Sequence, residues 1–132
     1  MGILIDADVL IEAERRTFDF DGWIASRHPI MFKLAAITVS ELQHGVERAS
    51  GSHRIKRERF FQNIFPAFEK LPFTFETAMV HAKLWAMLES SGQTIGPHDL
   101  ILAATALQSG DAVATFNTRH FSVVPGLKVI SP

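Results

Sequence analysis

Cysteine is absent from the 132 residues. That excludes disulfides, thiolate metal sites and cysteine nucleophiles. Long apolar runs are also missing: no stretch approaches the roughly 18 residues that a membrane-spanning helix needs. Charge of one sign is lacking, since 13 Lys+Arg meet 14 Asp+Glu for a formal net charge of −1. A uniformly basic nucleic-acid coat and a wholly acidic tail are therefore excluded, while a local basic patch is not. No Gly-x-Ser-x-Gly elbow, Gly-x-x-x-x-Gly-Lys phosphate loop or Gly-x-Gly-x-x-Gly turn occurs, so neither a serine hydrolase nor a common nucleotide fold is supported. The N-terminus has no basic segment and carries Asp6 and Asp8 inside its first apolar stretch, which is not a signal-peptide pattern. The expectation is a soluble, cytoplasmic protein that does not engage a membrane.

What is present is mostly apolar. Hydrophobic residues make up 47% and include 11 Phe. A chain this long buries roughly two-thirds of its unfolded surface, and one domain over residues 1–132 is expected. So high an apolar fraction in a small domain predicts a surface covered by a partner, with a homodimer the simplest case.

Continuous apolar runs alternate with helical patterns along the chain. Ile3-Leu4-Ile5 reads as a buried strand ending at Asp6, and Asp8 stands where an N-cap would stand before a helix over Val9 to Arg15. Asp19 to Arg27 reads as a short helix stopped before Pro29. Leu34 to Ile37 reads as a strand, followed by a helix from Thr38 to about Ala49. Ser50-Gly51-Ser52 is a break, and the long helical pattern after it should end or kink at Pro66. Phe73-Thr74-Phe75 suggests a short strand, and Glu76 to Ser91 a helix closed by Gly92. Pro97 opens a helix that is apolar nearly all round, hence central and buried, ending at Gly110. Ala112 to Thr115 and Lys128 to Ile130 read as further strands. Continuous apolar strands between helices argue for an α/β fold with a mainly parallel sheet of four or five strands covered on both faces.

In such sheets, sites form beyond the carboxyl ends of the strands. Asp6, Glu41, Asp99 and Asn117 all fall there, from four distant segments. Carboxylates brought close together repel one another and lose solvation, so a cation would relieve them. Hard oxygen donors without cysteine select Mg²⁺ or Mn²⁺, and such a metal can activate water and neutralise charge on a phosphodiester. Each residue also has a plainer reading. Thr38-Val39-Ser40-Glu41 fits a capping box, Asp99 could simply face a helix dipole, Asp8 could cap its helix, and Asn117 could be a turn residue. Asp6 has no evident cap to make. The convergence of four such residues on one edge is what points to a site.

The six His residues form no ligand pattern, although His98 and His120 flank two of the site candidates. Arg48 and the run His53-Arg54-Ile55-Lys56-Arg57-Glu58-Arg59 form the one dense basic segment. It reads either as a solvated helix face or as a phosphate-backbone contact, which Arg15, Arg16 and Arg119 could extend. The candidate RNA-contacting residues are thus Arg48, Arg54, Lys56, Arg57 and Arg119.

These residues carry a family resemblance. Ile3-Leu4-Ile5-Asp6-Ala7-Asp8-Val9-Leu10-Ile11, then Thr38-Val39-Ser40-Glu41-Leu42 with Gly45, then Ile95-Gly96-Pro97-His98-Asp99-Leu100 through Ala106, and finally Thr115-Phe116-Asn117-Thr118-Arg119-His120-Phe121 follow one another in order over nearly the whole chain. In this the sequence resembles PIN-domain ribonucleases, and more narrowly the VapC-like toxins of toxin–antitoxin pairs. The resemblance implies a three-layer α/β/α sandwich, a Mg²⁺ or Mn²⁺ cofactor, endonucleolytic cleavage of RNA, a homodimer and a VapB-like antitoxin. It also implies that Asp6, Glu41 and Asp99 bind the metal, that Asn117 replaces a fourth acid, and that Thr115 lines the site. Asp8 stands where Asn, Ser or Thr is usual. Two other readings remain at this point: a PIN-like module that binds RNA or protein without cutting, and a haloacid-dehalogenase-like phosphatase with Asp6 as nucleophile. Against the phosphatase, Val9-Leu10 replaces the expected Gly-Thr continuation.

Overall fold

The structure, a computed structural model, describes residues 1–132. Five strands form one sheet: β1 (Ile3–Ile5), β2 (Phe32–Ala35), β3 (Glu69–Leu71), β4 (Ala112–Ala114) and β5 (Val129–Ile130). Their order is β3-β2-β1-β4-β5 and every pairing is parallel. Parallel neighbours need long crossovers, which helices supply here. α1 (Ala7–Glu14) and α2 (Phe20–Ser26) join β1 to β2, and α3 (Ala36–Arg48) and α4 (Gly51–Ala67) join β2 to β3. α5 (Phe75–Ser90) and α6 (Pro97–Ser109) carry the chain from β3 across to β4, and the single turn α7 (Thr118–Phe121) precedes β5.

Strand side chains alternate between the two faces, and each face has its own core. Ile3, Ile5, Phe32, Leu34, Ala112 and Ala114 pack with α1, α3 and Phe61 of α4. Leu4, Ala35 and Val113 pack on the other face with α5, α6 and Phe121. The expected α/β/α sandwich is therefore observed. α6 is its buried centre on that second face, with Leu100 and the run Leu102 to Ala106 out of solvent. Gly110 ends α6 in the left-handed region (φ 74°), which a residue with a Cβ rarely adopts.

Several boundaries differ from the sequence reading. β2 begins at Phe32 rather than Leu34, and α3 begins at Ala36 rather than Thr38. The Thr38–Glu41 capping box is consequently not formed: Ala35 is the N-cap with no side-chain bond, and the buried Thr38 hydroxyl has no partner. Asp8 does not cap α1 either. Asp6 does, accepting from the Ala7 N–H at 2.8 Å. Phe73-Thr74-Phe75 is not a strand; Thr74 caps α5 by accepting from the Thr77 N–H, and the third strand lies earlier, at Glu69–Leu71. Pro66 falls in the last turn of α4, which ends at Ala67.

Candidate active site

The strand order reverses direction at the centre of the sheet. β1, β2 and β3 step outward one way, β4 and β5 the other. A crevice opens beyond the carboxyl ends of the strands at such a switch point, here β1 and β4. Ile5 is in register with Ala114, so Asp6 and Thr115 leave the sheet side by side. The Asp6 N–H donates to the Ala114 carbonyl at 2.9 Å, and the Thr115 hydroxyl donates to Asp6 Oδ2 at 2.9 Å.

Asp8, in the first turn of α1, ties these two segments together. Its Oδ2 accepts from the Phe116 N–H at 3.0 Å and from the Asn117 side-chain amide at 3.1 Å, with the Thr115 hydroxyl 3.3 Å away. Asn117 is thus locked to an acid from the first segment. Glu41 arrives on α3 and Asp99 on α6. Each has a histidine beside it: His98 Nδ1 lies 3.5 Å from Glu41 Oε2, and His120 Nδ1 lies 3.4 Å from Asp99 Oδ2. Asp99 lies between two shallow clefts. One of about 400 Å³ includes His120, and one of about 380 Å³ includes Glu41 and His98.

The electrostatics place these acids in one region. Burial, then the negative charge of Asp8 and more weakly of Asp99, pushes the Asp6 carboxyl up to about 7, against the bonds from Thr115 and Ala7. Burial also raises Asp8, against the bonds from Phe116 and Thr115. Glu41 is raised by burial first; His98 opposes this, and the charges of Asp99 and Asp8 add to it. As the side chains stand, no three acids or histidines come close enough to form a metal ligand set. The acids lie within reach of one another's charge, but each is held by a local donor.

The other sequence candidates divide. Thr115 is fully buried at the centre of the network. Arg57 is half-buried, 3.8 Å from Glu14, and donates to the Gly45 carbonyl. Arg54 is paired with Glu47 and Glu58. Arg48, Lys56 and Arg119 are exposed. Lys56 lies with Arg16, Arg59, Phe18, Phe20 and Phe60 in a groove of about 710 Å³ between the α1–α2 segment and α4. This groove does not include the acidic edge. Sequence reasoning missed the amide lock between Asp8 and Asn117 and the pairing of each histidine with an acid. The proximity of His98 to Asp99 in sequence was the only available signal, and it names the wrong partner.

Known proteins agree with this architecture. The PIN domain family model matches residues 3–127. Ribonuclease VapC1 of Rickettsia felis is 32% identical over 132 residues, spanning 99% of this chain and 96% of that protein. Toxin FitB of Neisseria gonorrhoeae is 33% identical over 90% of each chain. In fold, the chain superposes with a TM-score of 0.90 on VapBC2 from Rickettsia felis bound to a DNA fragment from their promoter, at 19% identity and covering 100% of this chain and 99% of that one. The family match over residues 3–127 and the relatives 32–33% identical over at least 90% of the chain lead to one assignment: the chain belongs to the PIN-domain family, among its VapC-like members.

Proposed function

We propose that the chain, acting as one domain, is a divalent-metal-dependent endoribonuclease toxin that hydrolyses RNA phosphodiesters and is restrained by a VapB-like antitoxin. The observation that carries this reading is the mutual electrostatic strain of Asp6, Asp8 and Glu41 with Asp99 beside them at the switch point of the sheet. A carboxyl raised to about 7 by burial and neighbouring acids costs the fold stability when it ionises. The donors are all hard oxygens, which suits Mg²⁺ or Mn²⁺. Asp6, Glu41 and Asp99 would hold the ion, which when bound supplies an activated water and neutralises charge on the phosphate.

The remaining tasks belong to the chain's own side chains. Thr115 fixes the Asp6 carboxylate by its hydroxyl bond. Asp8 supplies a fourth negative charge, so that a neutral Asn117 does not leave the site short of one. Asn117 in turn fixes Asp8 and keeps one amide group toward the rim. His98 lies beside Glu41 and His120 beside Asp99, so each of these acids has an imidazole within reach at the edge of the site. The Phe-rich groove beside α4, rimmed by Arg16, Lys56 and Arg59, suits an amphipathic antitoxin segment. A homodimer is supported by the apolar side chains exposed along α5: Phe75, Met79, Trp85 and Met87.

The test is cleavage of RNA by the purified, antitoxin-free protein, with and without EDTA, alongside Asp6→Asn and Asp99→Asn. Cleavage that stops on chelation and in both variants is expected. Cleavage at full rate in either variant, or cleavage indifferent to EDTA, rejects the reading. Sedimentation at micromolar concentration checks the dimer.

A further inference from the structure

Five consecutive residues, Phe116 to His120, are exposed immediately past the buried Thr115. They form the rim of the acidic edge, and they combine an aromatic ring, an amide, an arginine and a histidine. We propose that Phe116 is a stacking platform for a base of single-stranded RNA next to the scissile phosphate, with Arg119 on the adjoining backbone. This rests on the endoribonuclease reading and adds to it how the substrate is gripped.

The ring does not behave as a core residue. Phe61 and Phe121 are 2% and 0% exposed, whereas Phe116 is 39% exposed. Its backbone is nevertheless held firmly. The Phe116 N–H donates to Asp8 Oδ2 at 3.0 Å, the Asn117 N–H donates to the Thr115 hydroxyl at 3.0 Å, and the Asn117 amide donates to Asp8. Phe18 meets the ring at 89° with centroids 5.2 Å apart, a favourable edge-to-face geometry. An exposed aromatic fixed in place by the acids of the site is pre-organised for a ligand with a flat apolar face. The substrate carries one on every nucleotide, and stacking is the usual way that unpaired bases are gripped. The other exposed aromatic rings, Phe73, Phe75 and Trp85, lie just before and along α5.

Steady-state cleavage of a single-stranded RNA by wild type, Phe116→Leu and Phe116→Trp tests this. So does binding of the same RNA, with 2-aminopurine placed at successive positions around the cut, to Asp99→Asn with and without Phe116→Leu. Leu keeps apolar packing against Phe18 and removes stacking; Trp keeps both. The expected result is a KM raised about 5- to 150-fold in Phe116→Leu, with the loss falling on KM rather than kcat. Trp should recover the affinity, and one flanking 2-aminopurine should be quenched only when position 116 is aromatic. An unchanged KM in Phe116→Leu, a loss that Trp does not recover, or no position-specific quenching overturns the proposal. So does a Phe116→Leu protein that cuts normally but escapes an antitoxin, because the ring then serves a protein partner. A wild type that cuts no RNA at all rejects the endoribonuclease reading itself, which is a distinct outcome from cleavage with unchanged KM.

Discussion

Asp6 serves two ends that oppose each other. It caps α1 and anchors Thr115, which favour the fold, while its charge is buried against Asp8 and Asp99, which does not. Asparagine in its place keeps an oxygen for the Ala7 N–H and an amide that can donate to the Thr115 hydroxyl. Asp6→Asn should therefore lose RNA cleavage by more than about 100-fold, the upper range for even indirect changes at metal sites. The metal-free variant should nonetheless melt higher than wild type at pH 8, by the equivalent of about 1–3 kcal/mol. Cleavage assays and thermal melts in EDTA read the two effects separately. Asp8 has a different part. Its Oδ2 accepts from the Phe116 N–H and the Asn117 amide together, so Asp8→Ala leaves both donors without their partner. That should cost about 1–3 kcal/mol and loosen the rim, whereas Asp8→Asn retains one acceptor oxygen and should cost less. Denaturant melts of both variants check the order.

Elements with strong patterns were legible in the sequence, and those set by competition between weak signals were not. β1 is a short unbroken apolar run ending at Asp6 and α6 a mostly apolar helix ending at Gly110, and both are found where the pattern puts them. β3 is Glu-Lys-Leu at a sheet edge, mostly exposed, so it has no apolar signal to read. The aromatic triplet Phe73–Phe75 supplies a better strand signature, but the Thr74 hydroxyl captures the Thr77 N–H and starts a helix there. Glu41 was ambiguous for a related reason. Its spacing from Thr38 fits a capping box, and only the earlier start of α3 frees its carboxylate to face His98. Asp6, Glu41 and Asp99 were legible as one edge because parallel strands fix where their ends lie, while histidine partners depend on rotamers that no spacing encodes. At the opposite end of the strands, Asp111 before β4 is buried and accepts from the Gly2 N–H, the Ser109 hydroxyl and Lys33 of β2. Removing Asp111 leaves the Gly2 N–H and the Ser109 hydroxyl short of a partner and the part-buried Lys33 without its counter-charge, so Asp111→Ala should cost about 1–3 kcal/mol with no change in the cleavage pattern. On α4, Ile55 is 58% exposed at the groove. Ile55→Asp should leave RNA cleavage unsuppressed when antitoxin is added, read by titrating antitoxin into the cleavage assay.

The molecule places opposite electrostatics at the two ends of its sheet. At the amino end Asp111 is held below the usual carboxylate range: burial would raise it, but Ser109, the Gly2 N–H and Lys33 outweigh that. At the carboxyl end Asp6 is raised to about 7 and Asp8 and Glu41 are raised with it. A depressed acid stabilises the fold above its unfolded pKa and loses that contribution as pH falls, so Asp111 opposes acid. A raised acid does the reverse. Between the unfolded value of 3.8 and the folded value of about 7 the native state holds the proton on Asp6 that the unfolded chain has released, so stability declines as pH rises through that window and then levels off. For Asp6 alone the loss amounts to up to about 4 kcal/mol at 1.36 kcal/mol per pH unit. In EDTA the melting temperature should therefore fall from pH 5 to pH 8. A ligand that binds only the folded state stabilises it by mass action, and a divalent cation among these acids requires them ionised. Added Mn²⁺ should thus raise the melting temperature most at pH 8 and least at pH 5, and Asp6→Asn should flatten both responses. A metal-free protein equally stable across this range, or one that Mn²⁺ stabilises no better at pH 8 than at pH 5, would mean that the acids at the head of the sheet do not share one field.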